Sequence, residues 1–123
     1  MYGEDLTKEI IAAAIEVNKT LGPGLLESVY EECFCHELGQ RRIEYQRQLA
    51  IPVKYKACEL ECGFRIDVLV ANAVVVELKS IEKLLPIHEA QLMTYLRLSQ
   101  KKIGLLMNFN VMVLKDGILR RVC

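Results

Sequence analysis

Two short, almost wholly apolar runs that carry ionisable side chains constrain this chain more than any other feature. Residues 64–70 read FRIDVLV and residues 74–79 read VVVELK, with three residues between them. Their β-branched composition and the short connection predict an antiparallel hairpin of two buried strands. Asp67, Glu77 and Lys79 interrupt these runs. An ionised group in such a strand costs free energy unless it is paired or bound to a metal.

The spacing within the hairpin predicts that two carboxylates converge. If the turn is centred on Asn72, Asp67 lies across from Glu77 on the same face, with Cβ atoms about 5 Å apart. Lys79 shares the face of Glu77, whereas Leu78 points the other way into the core. Two interpretations fit this pattern. The oxygens hold a divalent cation such as Mg²⁺ or Mn²⁺, or the charges form a solvated ion-pair ladder on an open sheet face.

The remaining periodicity predicts helices on either side of the hairpin and further strands beyond it. Apolar residues at helical spacing predict three helices, and alternating or β-branched runs predict the other strands. Pro52 places the first strand at a sheet edge or a bulge. The expected helices span 6–20, 25–38 and 86–99, and the other expected strands span 43–55, 101–107, 111–114 and 119–122. The prediction is one α+β domain over residues 1–123 with the element order ααβββαββ.

Five short motifs follow one another along the chain. They are GLLESVY at 24–30, RID at 65–67, ELK at 77–79, HEAQL at 88–92 with Tyr95-Leu96, and GLLMNF at 104–109. With these motifs the sequence resembles the GxxExxY protein family, which is grouped with the PD-(D/E)XK nuclease-like superfamily. The resemblance covers residues 6–122. It implies a restriction-endonuclease-like core, in which helices flank a central mixed β-sheet.

The resemblance also implies a function and a set of site residues. The expected activity is Mg²⁺- or Mn²⁺-dependent hydrolysis of a nucleic-acid phosphodiester. By position in the motifs, the implied metal ligands are Asp67, Glu77, the backbone carbonyl of Leu78, and Glu27 directly or through water. Lys79 is implied to position the attacking water and Gln91 to steady the site.

Several of these residues also have a purely structural interpretation. Glu27 falls in the first turn of its helix, where the helix dipole favours a carboxylate. Tyr30 is interpreted as a packing residue with a tethered hydroxyl. His88, Gln91 and Tyr95 form a polar stripe on the third helix. That stripe is either a solvated face or the lining of the Glu77 cleft; we favour the cleft for Gln91 and the solvated face for His88.

The charge balance bears on the partner. Sixteen basic residues cancel sixteen acidic ones, but residues 1–40 carry −6 and residues 41–123 carry +6. Neutrality therefore argues only against strong non-specific binding to nucleic acid. A chain this short has no separate recognition domain, so a non-catalytic module that binds nucleic acid or protein is the alternative hypothesis. A homodimer would extend the basic surface expected around Arg65, Lys79, Lys83, Arg97, Lys101 and Lys102.

The cysteines and the N-terminus predict a reducing, cytoplasmic setting. The five cysteines are an odd number at irregular spacing, and the first ten residues do not resemble a signal peptide. Cys33 and Cys35 face different directions on a helix, and Cys58 and Cys62 are predicted to flank a turn with no second ligand pair, so zinc is disfavoured. No apolar run is long enough to cross a membrane.

Overall fold

The computed structural model describes residues 3–123, and of Cys62 only the backbone. Over these residues three α-helices surround one five-stranded sheet. The elements are α1 (Gly3–Leu21), α2 (Glu27–Gln40), β1 (Tyr45–Tyr55), β2 (Cys58–Val70), β3 (Val74–Lys79), α3 (Pro86–Ser99), β4 (Ile103–Asn108), a 3₁₀ helix (Leu114–Gly117) and β5 (Ile118–Val122). The predicted α+β class and the order of helices and strands are confirmed.

The strands lie side by side in chain order. Neighbours are antiparallel except β3 and β4, which are parallel and are joined through α3, as a parallel connection requires. Helices α1 and α2 cover one face of the sheet, and α3 covers the other. The apolar side chains of β3 are therefore buried on both faces, which explains the continuous apolar run in its sequence.

The β2–β3 hairpin has the predicted register. Val68 pairs with Val76, which centres the turn on Asn72. Leu78 packs in the core beneath α1 and α2, as predicted. Because side chains alternate along a strand, Glu77 points to the opposite face, which α3 covers.

Pro52 lies where its missing N–H costs least. Strand β1 is at the edge of the sheet, and its register with β2 shifts between Ile51 and Val53. The predictions of an edge position and of a bulge both agree with this placement. Gly63 lies against the shift, where a Cβ atom would overlap the Val53 side chain. Glycine therefore allows the two strands to stay in contact at the irregularity.

The predicted strand at 111–114 is wrong. This segment is bent and leads into the 3₁₀ helix Leu114–Gly117. The Nδ2 atom of Asn18 donates to the backbone carbonyls of Phe109 and Val111, at 3.2 and 3.1 Å. Because a buried side chain of α1 bonds these two carbonyls, the segment is tied to the helix rather than to the sheet.

Two smaller boundaries also differ from the predictions. Cys58 and Cys62 do not flank a turn, since both lie within β2 and the turn comes earlier, at Lys56 with φ 55°. The side chain of Cys62 lies outside the described residues. Helix α2 continues through Gly39 to Gln40, because glycine is tolerated in its last turn.

No helix in residues 3–123 is long and apolar enough to cross a membrane. The four cysteines with described side chains, Cys33, Cys35, Cys58 and Cys123, are free thiols. Burial raises the pKa of Cys35 to about 12, so this thiol is protonated at neutral pH.

Candidate active site

Asp67 lies where β2 and β3 stop pairing. Val68 and Val76 are the last paired residues on this side of the hairpin. Just beyond them, Asp67 Oδ2 accepts the backbone N–H of Leu78 at 2.9 Å. The carboxylate thus bonds an amide that would otherwise face a β2 carbonyl, and this contact holds it against β3 beside Glu77.

Glu77 is a buried carboxyl group that forms no ion pair with any basic side chain of the described residues. Its residue is 6% exposed, and its Oε1 atom has no hydrogen-bond partner among the described residues. Burial first, then the close approach and the charge of Asp67, raise the pKa of Glu77 to about 10, while the charge of Lys79 opposes the rise. A solvated ladder needs exposed side chains, so burial rules out that interpretation for Glu77.

Lys79 and Glu27 complete the group of charges. The charge of Lys79 lowers the pKa of both Glu77 and Glu27, so its ammonium lies within reach of both carboxyl groups. Glu27 is exposed as a residue, but partial burial of its carboxyl group, followed by the charge of Asp67, raises its pKa on balance. Side chains from α2, β2 and β3 therefore share one electrostatic site.

The loop before α2 explains how Glu27 reaches the two strands. Tyr30 is fully buried, and its hydroxyl donates to the carbonyl of Gly22 at 2.5 Å and accepts the N–H of Leu25 at 3.1 Å. Gly24 has φ 100°, which favours glycine. The Ser80 hydroxyl, directly after β3, donates to the carbonyl of Leu25 at 2.5 Å. The loop is thus tied to the end of β3, and Tyr30 has the tethered hydroxyl predicted for it.

A family model described as the PD-(D/E)XK nuclease superfamily matches residues 4–122. The chain belongs to this superfamily. Neither the curated proteins nor the solved structures contain a significant match. The narrower assignment to the GxxExxY family stays a prediction, because the matching model does not specify it.

The superfamily name contains a sequence pattern, and the site fits most of it. Glu77, Leu78 and Lys79 correspond to (D/E)XK, and all three lie at the carboxyl end of β3. Asp67 corresponds to the aspartate, but Ile66 stands where the pattern has proline. Ile66 is fully buried in the core beneath α3. An apolar residue at this position anchors β2 next to the carboxylate.

On α3, Tyr95 of the predicted polar stripe lies within electrostatic reach of the carboxylates. Burial and the charges of Glu77 and Asp67 raise the pKa of Tyr95, whose ring stacks on Phe64 with centroids 4.3 Å apart. Gln91 lies one turn earlier and is exposed, without a hydrogen bond to either carboxylate within residues 3–123. The shared helix face of Gln91 and Tyr95, four residues apart, was the available sequence signal.

His88 is half-buried and caps the start of α3, rather than lying on a solvated face as predicted. Its Nδ1 atom accepts the backbone N–H of Leu85 at 2.9 Å, and its own backbone N–H donates to the carbonyl of Leu85 at 2.9 Å, which closes the first turn of α3. Capping satisfies one of the amide groups that a helix start leaves free. His88 thus belongs to the helix cap rather than to the group of charges around Glu77.

A second buried carboxylate, which sequence reasoning missed, adjoins the site. Glu31 Oε2 accepts Nε and Nη2 of Arg47, at 3.1 and 3.0 Å. Its Oε1 atom accepts Nε2 of Gln48 at 2.7 Å, and the same Nε2 lies 3.5 Å from Asp67 Oδ1. No motif or periodicity in the sequence predicts the contact of Glu31 with Gln48, because it joins α2 to an irregular position in β1.

The site offers the oxygen ligands that a hard divalent cation prefers, but not a complete set of them. The available donors at the site are oxygens, and the unpartnered Oε1 of Glu77 is a buried acceptor beside a second carboxylate. Within the described residues, no group of three or more His, Cys, Asp or Glu side chains is arranged as a ready metal cage. Mg²⁺ usually takes only one or two protein carboxylates and keeps waters or substrate phosphates as its other ligands. Members of the superfamily typically use divalent metals.

The expected basic residues do not all lie beside this site. Because β3 and β4 are parallel, Lys101 lies before the start of β4, next to the start of β3. Its Nζ atom donates to Asn72 at the hairpin turn, 3.1 Å away. Lys79 lies at the opposite end of β3, so the length of that strand separates the two cations.

Proposed function

We propose that this protein is a Mg²⁺-dependent nuclease that hydrolyses a phosphodiester bond in nucleic acid. The supporting observation is the buried carboxyl of Glu77, with an unpartnered oxygen beside Asp67 and within electrostatic reach of Lys79. A buried acid in this state costs stability, and perturbed groups of this kind concentrate at functional sites. Membership of the nuclease superfamily gives the reaction class.

In this proposal Asp67 and Glu77 hold the metal, with the carbonyl of Leu78 as a further ligand and Glu27 contributing directly or through water. The bound ion would polarise the phosphate and lower the pKa of a bound water. The N–H of Leu78 fixes one oxygen of Asp67. Lys79 orients the attacking water and stabilises the charge that develops on the phosphate. Gln91 is proposed to contact the substrate side of the cleft from α3.

Tyr95 contributes a neutral hydroxyl in this arrangement. A tyrosine phenol is protonated at neutral pH, and burial and the nearby carboxylates raise its pKa further, so its hydroxyl can donate a hydrogen bond near the carboxylates. The stack on Phe64 holds the ring in place. We therefore assign Tyr95 to orienting a water or a phosphate oxygen rather than to abstracting a proton.

The test combines metal binding with cleavage. Calorimetry with Mg²⁺ and Mn²⁺ measures binding, and labelled single-stranded DNA, double-stranded DNA and RNA are assayed for cleavage with each metal. We expect the wild type to bind metal and to cleave one of these substrates, and Asp67→Asn and Lys79→Met to lose cleavage. Asp116→Asn and Lys115→Met change exposed residues of the 3₁₀ helix and are the matched controls, which should behave as wild type.

Three results would contradict the proposal. One is a wild type that binds neither metal, with or without nucleic acid. Another is cleavage that persists in Asp67→Asn. The third is nucleic-acid binding without cleavage under any metal condition, which would favour the non-catalytic binding module instead.

A further inference from the structure

Gln48 has a backbone conformation that ordinary strand residues avoid. It lies in the interior of β1 with φ 49°, in the left-handed region that few residues other than glycine and asparagine adopt. The pairs on either side of it, Arg47 with Val68 and Leu49 with Ile66, are regular. That register puts Gln48 opposite Asp67, and the irregularity is thus confined to the position that faces the site. Strain of this kind persists only where surrounding contacts enforce it.

The side chain of Gln48 shows what this conformation achieves. Its Nε2 atom is 2.7 Å from Glu31 Oε1 and 3.5 Å from Asp67 Oδ1. An amide NH₂ group has two protons and can donate to both acceptors. Gln48 is therefore a bridge between a paired, buried glutamate and the aspartate of the site.

The far end of this bridge is firmly held. Arg47 donates two hydrogen bonds to Glu31 Oε2 and also pairs with Glu32 at 2.8 Å. The backbone carbonyl of Gln48 accepts Nη1 of Arg65 at 3.2 Å. Both the donor amide and its anchor are thus fixed by contacts outside the site.

We propose that Gln48 is a positioning residue that fixes the orientation of the Asp67 carboxylate for metal binding. The N–H of Leu78 bonds Oδ2 at 2.9 Å and the amide of Gln48 makes a longer contact to Oδ1 at 3.5 Å, so the two donors together orient the plane of the carboxylate. Partners of this kind around a metal ligand contribute strongly to affinity. The inference rests on the proposed function, since it assigns Asp67 as a ligand.

Two variants separate the effect of losing the Gln48 side-chain amide from the effect of relieving the backbone strain. Gln48→Gly removes the amide but suits a positive φ, and Gln48→Met removes the amide at similar side-chain length. Gln100→Gly is the matched control: Gln100 has φ 59° at the end of α3. Binding of Mn²⁺ alone is measured by calorimetry, and thermal unfolding is measured without metal.

We expect both Gln48 variants to bind Mn²⁺ roughly 10- to 100-fold more weakly than the wild type. Gln48→Gly should keep a melting temperature within a few degrees of the wild type, because relief of strain offsets the lost hydrogen bond to Glu31. Gln100→Gly should melt at or above the wild-type temperature and bind Mn²⁺ normally. A merely structural role would change melting without this loss of affinity.

The inference is overturned if either Gln48 variant binds Mn²⁺ within twofold of the wild type. A wild type that binds no Mn²⁺ contradicts the proposed function instead. In that case crystal structures of the metal-free wild type and Gln48→Gly decide the inference separately: a rotated Asp67 carboxylate in the variant supports it, and an unchanged carboxylate overturns it.

Discussion

Two glutamates are almost equally buried in this protein, yet their surroundings differ. Glu31 on α2 is 8% exposed and Glu77 on β3 is 6% exposed. Both oxygens of Glu31 accept hydrogen bonds, from Arg47 and Gln48. Glu77 has another carboxylate as its neighbour, and its Oε1 is unpartnered among the described residues.

The difference shows that burial alone does not identify a functional carboxylate. A buried charge with a full set of donors is explained by the structure that it holds together. A buried acid without them weakens the fold, and the molecule gains from it only when something else binds there. By this criterion Glu31 is structural and Glu77 is the candidate for chemistry.

The largest expected effect is the loss of activity in Glu77→Gln. Under the proposed function, this variant should lose metal binding and about 10³-fold or more in cleavage rate, since a neutral amide replaces a ligand carboxylate. Glu31→Gln should retain cleavage within about tenfold, because its effect reaches the site only through Gln48. Single-turnover cleavage assays measure both. Similar losses in the two variants would remove the distinction between the glutamates.

The next effect is on stability as a function of pH in the absence of metal. The pKa of Glu77 is raised from 4.5 to about 10, so the folded state favours the protonated acid. Its contribution to stability is complete below about pH 4.5 and decreases as the pH rises toward 10. The slope in between is at most about 1.4 kcal/mol per pH unit.

Denaturant unfolding between pH 5 and pH 8 tests this expectation. The wild type should lose up to about 4 kcal/mol over this range, and Glu77→Gln should lose much less because its amide does not titrate. Added Mg²⁺ should restore stability at pH 8 in the wild type only. Parallel curves for the two proteins would show that Glu77 titrates normally.

Glu31→Gln should instead reduce stability at all pH values near neutrality. The substitution removes the negative charge to which the Arg47 guanidinium and the Gln48 side chain both donate hydrogen bonds. Hydrogen bonds to charged groups contribute about 1.5–3 kcal/mol. We expect a loss of about 2 kcal/mol, measured by urea unfolding at pH 7. A variant as stable as the wild type would show that the Arg47 contact contributes nothing net.

The hairpin and Glu77 could be predicted from sequence because strand periodicity is local. Three intervening residues fixed the centre at Asn72, and alternation placed Leu78 in the core, so Asp67 and Glu77 had to approach one another. The apolar composition of residues 74–79 predicted a buried strand, whereas the sequence left open whether the face of Glu77 is solvated. These inferences need only neighbouring residues and the two-residue period.

Gln48 and Glu31 could not be predicted in the same way. Their contact depends on a positive φ within β1 and on how α2 packs against that strand, and neither leaves a pattern in the sequence. The predicted strand at 111–114 was wrong for a similar reason, because Asn18, which is distant in sequence, bonds the carbonyls of Phe109 and Val111. Long-range polar contacts override local β-propensity where they are buried.

The smallest expected effect is that of Arg47→Lys, which keeps the charge beside Glu31 but changes its shape. Arg47 donates through three nitrogens to Glu31 and Glu32, and a lysine ammonium cannot reproduce this fork. Because the Arg47 side chain is about one-third exposed, the loss should be only about 1 kcal/mol in urea unfolding. Cleavage should be unchanged, since a charged partner still satisfies Glu31. If Arg47→Lys also reduced the cleavage rate, the contact between Arg47 and Glu31 would be part of the active site rather than its support.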